Sequence, residues 1–149
     1  MPRTIAPLYG PMDWTYANMG SPDYFSPYNP LIGLPGGFFS RGVTLNMMGH
    51  QFPKTGIAYM GLSLNGYFNP TPTSLREYLQ ARLKHTLVKD STYCLQLYIS
   101  LADSCQIASR NQFAIHFSNT KINATTPEVL NLVPQIIVSP TTSITDKVN

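Results

Sequence analysis

The sequence predicts an all-β domain built as a β-sandwich, and three observations carry that prediction. The first is a pair of strand-periodic stretches. In residues 92–102, Tyr93, Leu95, Leu97, Ile99 and Leu101 fall on one face, and Cys94, Gln96, Tyr98, Ser100 and Ala102 on the other. Residues 111–118 repeat the pattern, with Phe113, Ile115 and Phe117 opposed to Ala114, His116 and Ser118. A period of two is that of a half-buried strand. The second observation is the polar connector between them, residues 103–110. It is too short for a helical crossover, so the two strands are expected to be antiparallel neighbours. The third is composition. Charged residues make up only 11% of the 149-residue chain, while it holds 13 prolines, 10 glycines and 9 tyrosines. Few charges with many aromatics and turn-formers favour an all-β domain over a helical one.

Taken in order, the chain divides at residue 55 within a single domain. Residues 1–55 read as an irregular aromatic, Pro- and Gly-rich segment that packs on the same domain; residues 56–149 read as the sandwich core. Trp14, Tyr16, Tyr24, Phe25 and Tyr28 lie close together near the start, and Pro22, Pro27 and Pro30 exclude a regular helix among them. Residues 42–48 form a short candidate strand. Residues 56–64 alternate and predict a strand, followed by the turn-rich loop 65–74. Residues 75–87 carry two periods. Leu75, Leu79, Leu83 and Leu87 recur every four residues, as on a helix, and Leu79, Ala81, Leu83, His85 and Leu87 also alternate. The turn signal at residues 88–91, leading straight into the central strand, together with the resemblance described below, tips this stretch to a strand. Residues 133–138 form a last apolar strand, for a total of five or six.

Charge and motifs narrow the function. The net charge is +3, and the basic residues are scattered. Arg82 and Lys84 share a strand face, but no dense basic stripe marks a nucleic-acid interface. Cys94 and Cys105 would stand ~36 Å apart on an extended chain, so a disulfide requires the segment after Asp103 to fold back. No cysteine or histidine spacing fits a metal site, and no Gly-rich phosphate loop follows a strand. Residues 1–10 lack an apolar run of signal-peptide length, and no later run is long enough to span a membrane. A mature chain whose signal has been removed reads the same way.

Two sets of side chains are candidate sites. Trp14, Tyr16, Tyr24, Phe25 and Tyr28 offer aromatic faces suited to stacking on sugar rings; the alternative is that they cover one end of the core. Asp13, Asp23, Asp103 and Asn111 supply short oxygen donors in or beside loops. Asp103 and Asn111 are the candidate ligands for a structural calcium, which takes six to eight oxygens; the alternative is that they make turns and caps. Glu77 and Glu128 are the glutamates, and glycoside hydrolysis needs two carboxyl groups at a defined separation. Glu77 with an aspartate is the one conceivable pair. No nucleophile–base arrangement appears, so no catalytic residue is assigned.

Several segments resemble a known family: GIAYMGLSL, REYLQARLKHTLVKDSTYCLQLYISLAD, FAIHFSNT and PQI, with PDYFSPYNP followed by Pro35-Gly36-Gly37-Phe38-Phe39. They are similar to an N-terminal domain of secreted and outer-membrane proteins of Bacteroidetes, many labelled OmpA-family or gliding-motility-associated. The resemblance runs roughly from Trp14 onward, and its SLAD and FSNT segments are the most specific. It implies a galactose-binding-like jelly roll, similar to carbohydrate-binding modules, at the cell surface. Partners would be glycans or cell-envelope proteins, without nucleic acid. The expected function is a non-enzymatic extracellular or outer-membrane module for glycan or peptidoglycan-associated binding or adhesion. The alternative is a jelly-roll glycoside hydrolase or other carbohydrate-active enzyme. Such domains usually continue with a Trp-led strand and a further closing strand, so C-terminal strands are expected to be missing here. The chain alone is then expected to be marginally stable or prone to associate through an uncovered apolar strip.

Overall fold

A computed structural model describes residues 13–28, 42–64, 67–68, 71–72, 75–104 and 113–138. Every regular element among them is a strand, so the all-β class holds. Ten strands occur: β1 (Trp14–Tyr16), β2 (Asp23–Phe25), β3 (Leu45–Asn46), β4 (Gly49–His50), β5 (Tyr59–Gly61), β6 (Tyr67–Phe68), β7 (Thr71–Pro72), β8 (Leu79–Ala81), β9 (Ala114–Ile115) and β10 (Ile136–Ile137). They pair antiparallel in five two-stranded ladders, β1–β8, β2–β5, β3–β4, β6–β7 and β9–β10. No sandwich is defined among the described residues.

Among the described residues of the N-terminal aromatic segment lie two short strands, β1 and β2. β1 pairs with β8 in the register Trp14↔Ala81, Thr15↔Gln80 and Tyr16↔Leu79. β2 pairs with β5 as Asp23↔Gly61, Tyr24↔Met60 and Phe25↔Tyr59. The prolines that forbid a helix here do not forbid strands, since none stands inside β1 or β2. The expected strand at 42–48 is a tight hairpin instead, with Leu45↔His50 and Asn46↔Gly49 in register. Gly49 has a φ of +120°, a backbone conformation that L side chains rarely adopt.

The expected central strand at 92–102 forms no ladder, and no described residue makes a backbone hydrogen bond with it. β9 pairs with β10 rather than with 92–102, in the register Ile115↔Ile136 and Ala114↔Ile137. Within 75–87, Leu79 to Ala81 is strand and the remainder is not.

The buried apolar side chains among the described residues are Phe25, Ala17 and Pro22, the first two at 1% and 3% exposure. Phe25 stacks on Tyr59 with ring centroids 5.0 Å apart. A Cβ on Gly61 would stand 2.7 Å from Phe25 Cε2, so this glycine admits the ring. Polar groups are as prominent in the interior as apolar ones: Asn18, Ser26 and Asn46 are buried. Each makes a hydrogen bond, as a buried polar group must to avoid a desolvation cost of a few kcal/mol (~1–3).

Candidate functional site

The candidate site is the surface carried by β1 and β2, and polar side chains position it. Asn18, just after β1, donates from Nδ2 to the carbonyls of Arg76 (2.7 Å) and Glu128 (3.3 Å). Its Oδ1 accepts from the Gly20 amide at 3.1 Å. Gln80, in β8, donates from Nε2 to the Tyr16 and Ile122 carbonyls, while its Oε1 accepts from the Ile122 amide at 3.0 Å. The backbone adds Ala124 N to Ala17 O at 2.9 Å and Met19 N to Thr126 O at 3.1 Å. Two primary amides thus bind three stretches of chain that no continuous sheet joins. A side-chain amide does here what a neighbouring strand does elsewhere.

Glu77 joins β2 and β5 to this unit. Its Oε1 accepts from the Ser21 amide at 3.2 Å and its Oε2 from the Ser63 amide at 2.7 Å. Burial pushes its carboxyl above the ordinary carboxylate range. The Ser63 amide opposes that shift, the Asp23 charge adds to it, and the Ser21 groups oppose it. Glu77 and Asp23 therefore sense each other. Yet both Glu77 oxygens already serve backbone amides, an arrangement that holds two loop segments together.

On this frame the five aromatic residues take different places. Phe25 is core and is not a solvent-facing ring. Tyr16 and Tyr24 are half-buried, and the Tyr16 hydroxyl donates to the Pro22 carbonyl at 3.3 Å, bracing β1 against the approach to β2. Trp14 and Tyr28 are the solvent-facing members, at 46% and 72% exposure. Trp14 sits at the outer end of β1 behind Asp13, whose positive φ an aspartate tolerates. Tyr28 follows a turn in which Ser26 Oγ accepts from the Tyr28 amide at 3.2 Å.

The acidic candidates separate in the same way. Asp103 Oδ2 accepts from the His50 amide at 2.8 Å. Ser104 donates from its amide (3.1 Å) and its hydroxyl (2.9 Å) to the Met48 carbonyl. A Cβ on Gly49 would come within 2.4 Å of Asp103 Cβ, so the aspartate lies directly against the β3–β4 turn. One Asp103 oxygen is thus committed to a turn. Asn111, its expected partner in a calcium site, lies outside the described residues. No group of three His, Cys, Asp or Glu side chains suited to a metal ion forms among the described residues. Cys94 is an exposed free thiol; Cys105 lies outside the described residues. Among the described residues no helix is long and apolar enough to cross a membrane.

Sequence reasoning found the aromatic residues and missed the amides. Asn18, Gln80 and Asn46 follow no period, and a polar side chain that binds backbone far away leaves no local signal. Asn46 donates to the Gly42 carbonyl at 3.2 Å and to the Tyr59 hydroxyl, which ties the β3–β4 hairpin to β5. No protein-family profile, curated protein or solved structure matches the chain.

Proposed function

We propose that this chain is a non-enzymatic β module of the extracellular space or outer membrane, binding glycan or cell-envelope components as part of a larger protein. Its finer architecture in this reading is the galactose-binding-like jelly roll implied by the resemblance to the Bacteroidetes domain. The observation that supports it is the division of labour among the N-terminal aromatics. Phe25 anchors the segment in the core while Trp14 and Tyr28 stay in solvent. Exposed indole and phenol rings held on an anchored backbone suit the apolar faces of pyranose rings.

A glycan array probed with the full chain tests this. Binding is expected, with at least a tenfold loss in Trp14→Ala and in Tyr28→Ala and retained fold by circular dichroism. Binding unchanged in both variants would remove the aromatic surface from the reading. The competing reading, a glycoside hydrolase, has the proximity of Glu77 and Asp23 in its favour. Against it stands the use of both Glu77 oxygens by backbone amides. Hydrolysis of any polysaccharide, abolished in a folded Glu77→Gln variant, would overturn the non-enzymatic assignment.

A further inference from the structure

After β8 the chain runs through solvent until Asp103 meets the β3–β4 turn. Every residue from 82 to 99 is exposed. The first part of this run carries Arg82, Lys84 and Lys89. Among the described residues, none from 83 to 87 makes a backbone hydrogen bond. Leu83 and Leu87, at the two ends of that stretch, are 51% and 42% exposed. Exposed chain without backbone partners is where endopeptidases cut. Such an enzyme binds its substrate as an added strand and needs free amides and carbonyls. We propose that the Lys84–His85 bond is a cleavage site for an endopeptidase that selects a basic side chain, and that the cut chain persists as a noncovalent two-piece molecule.

The other basic residues of the described chain are less suited, each for a local reason. The Arg76 amide donates to the Pro127 carbonyl at 3.2 Å, and the Glu77 amide after it to the Ser63 carbonyl at 3.0 Å. Lys121 precedes Ile122, whose amide and carbonyl are both held by Gln80. Lys54 lies over the Tyr98 ring, its Nζ 5.7 Å from the centroid, and Gly56 two residues on has a φ of +70°. Asp90, directly after Lys89, has a φ of +60°. A positive φ departs from the extended form of an added strand. Arg82 directly follows β8, which is paired with β1. Lys84 is preceded by Arg82 and Leu83 and followed by His85, Thr86 and Leu87, all exposed. Hydrolysis adds one water across the bond: the C–N bond breaks, Lys84 ends in a carboxylate and His85 begins with an amine.

The hydrogen bonds that position β1 and β8 cross this cut. Asn18 reaches the Glu128 carbonyl, the Ala124 amide donates to the Ala17 carbonyl, and Gln80 holds Ile122 at both its backbone groups. The Tyr78 hydroxyl accepts from the Leu130 amide at 3.0 Å, and Ser104 holds the Met48 carbonyl. Residues 1–84 and 85–149 are therefore joined by more than the peptide bond between them.

Limited trypsin digestion of the full chain, read by mass spectrometry and size exclusion, tests both halves of the proposal. The chain carries Arg3→Gln, Arg41→Gln, Arg110→Gln and Lys147→Gln, which removes the basic residues outside the described ones. The first cut is expected after Lys84, ahead of Arg82 and Lys89 and at least tenfold faster than after Lys54, Arg76 or Lys121. The two pieces should elute together at the size of the uncut chain and separate in urea. In Gln80→Ala, folded by circular dichroism before digestion, they should part at least tenfold faster. A first cut at another basic residue, a chain that resists cutting, or pieces that separate in buffer once the bond is broken would overturn the proposal.

Discussion

Two regions of this chain have strand-like sequences and opposite fates. In one, β1, β2, β5 and β8 pair, and Asn18, Gln80 and Glu77 bind their backbones to neighbouring loops. In the other, residues 92–102 alternate over a longer run than any of those strands, yet have no backbone partner among the described residues. Pattern strength does not separate them. The ordered region has side chains that reach across to distant carbonyls and amides. In the exposed run the polar contacts stay local: the Tyr93 hydroxyl accepts from the Val88 amide and Gln96 reaches Tyr98, and neither binds a distant stretch of backbone. A hydrophobic face drives burial without direction, whereas amides and carboxylates specify which stretch lies beside which.

The largest expected effect breaks the first region at its apolar anchor. Phe25→Ala removes the ring that stacks on Tyr59 and should cost about 3–5 kcal/mol, read as a lower midpoint in urea unfolding. Asn18→Ala should cost about 2–3 kcal/mol, because three backbone groups lose their partner while others replace only part of the loss. Gly49→Ala comes next, at about 1–3 kcal/mol. It combines a strained φ with a Cβ pressed on Asp103, and it should detach residues 103–104 from the β3–β4 turn. Amide exchange at Ser104, which donates to Met48, would report that release.

Glu77 sharpens the comparison through pH. Its folded carboxyl titrates above its ordinary value of 4.5, with burial as the main cause. The folded state therefore holds this proton to higher pH than the unfolded chain does. Glu77's contribution to stability is fully present below 4.5 and is lost as pH rises through the folded value. In Glu77→Gln the thermal midpoint should lose that part of its pH dependence. A fall on alkalinisation that matches the wild type would place the effect on another group.

The smallest expected effect is on the exposed run. Leu95→Lys should change unfolding stability by no more than about 0.5 kcal/mol, as a surface substitution does. A cost several times larger would mean that Leu95 is held by contacts within the chain, and the contrast between the two regions would fail.

The sequence carried the all-β class because side-chain period and turn-formers are local. It carried the strand at Tyr59–Gly61 and the strand choice at Leu79–Ala81 for the same reason. It did not carry pairing. β1 joins a partner more than sixty residues away, and alternation says which side a residue faces but not which strand lies next to it. The aromatic cluster was legible as composition, but its division into an anchor and exposed rings was not. Phe25 and Tyr24 are adjacent and equally aromatic, and the register against Tyr59 and Gly61 decides that Phe25 goes inward. β1 and β2 were not legible within the N-terminal segment because they are three residues each, too short to show a period.

The exchange of apolar core for amide bridges also has a calorimetric consequence. Exposing apolar surface raises the heat capacity on unfolding, and exposing polar surface lowers it, by ~0.45 and ~0.26 cal/mol/K per Å² respectively. A region closed by Asn18, Gln80, Glu77 and Asn46, with Phe25 as the fully buried ring among the described residues, exposes a larger polar share on unfolding than an oily core does. Its unfolding enthalpy should therefore change less with temperature. Its stability curve should be broad and shallow, with little of the weakening on cooling that a large oily interior brings.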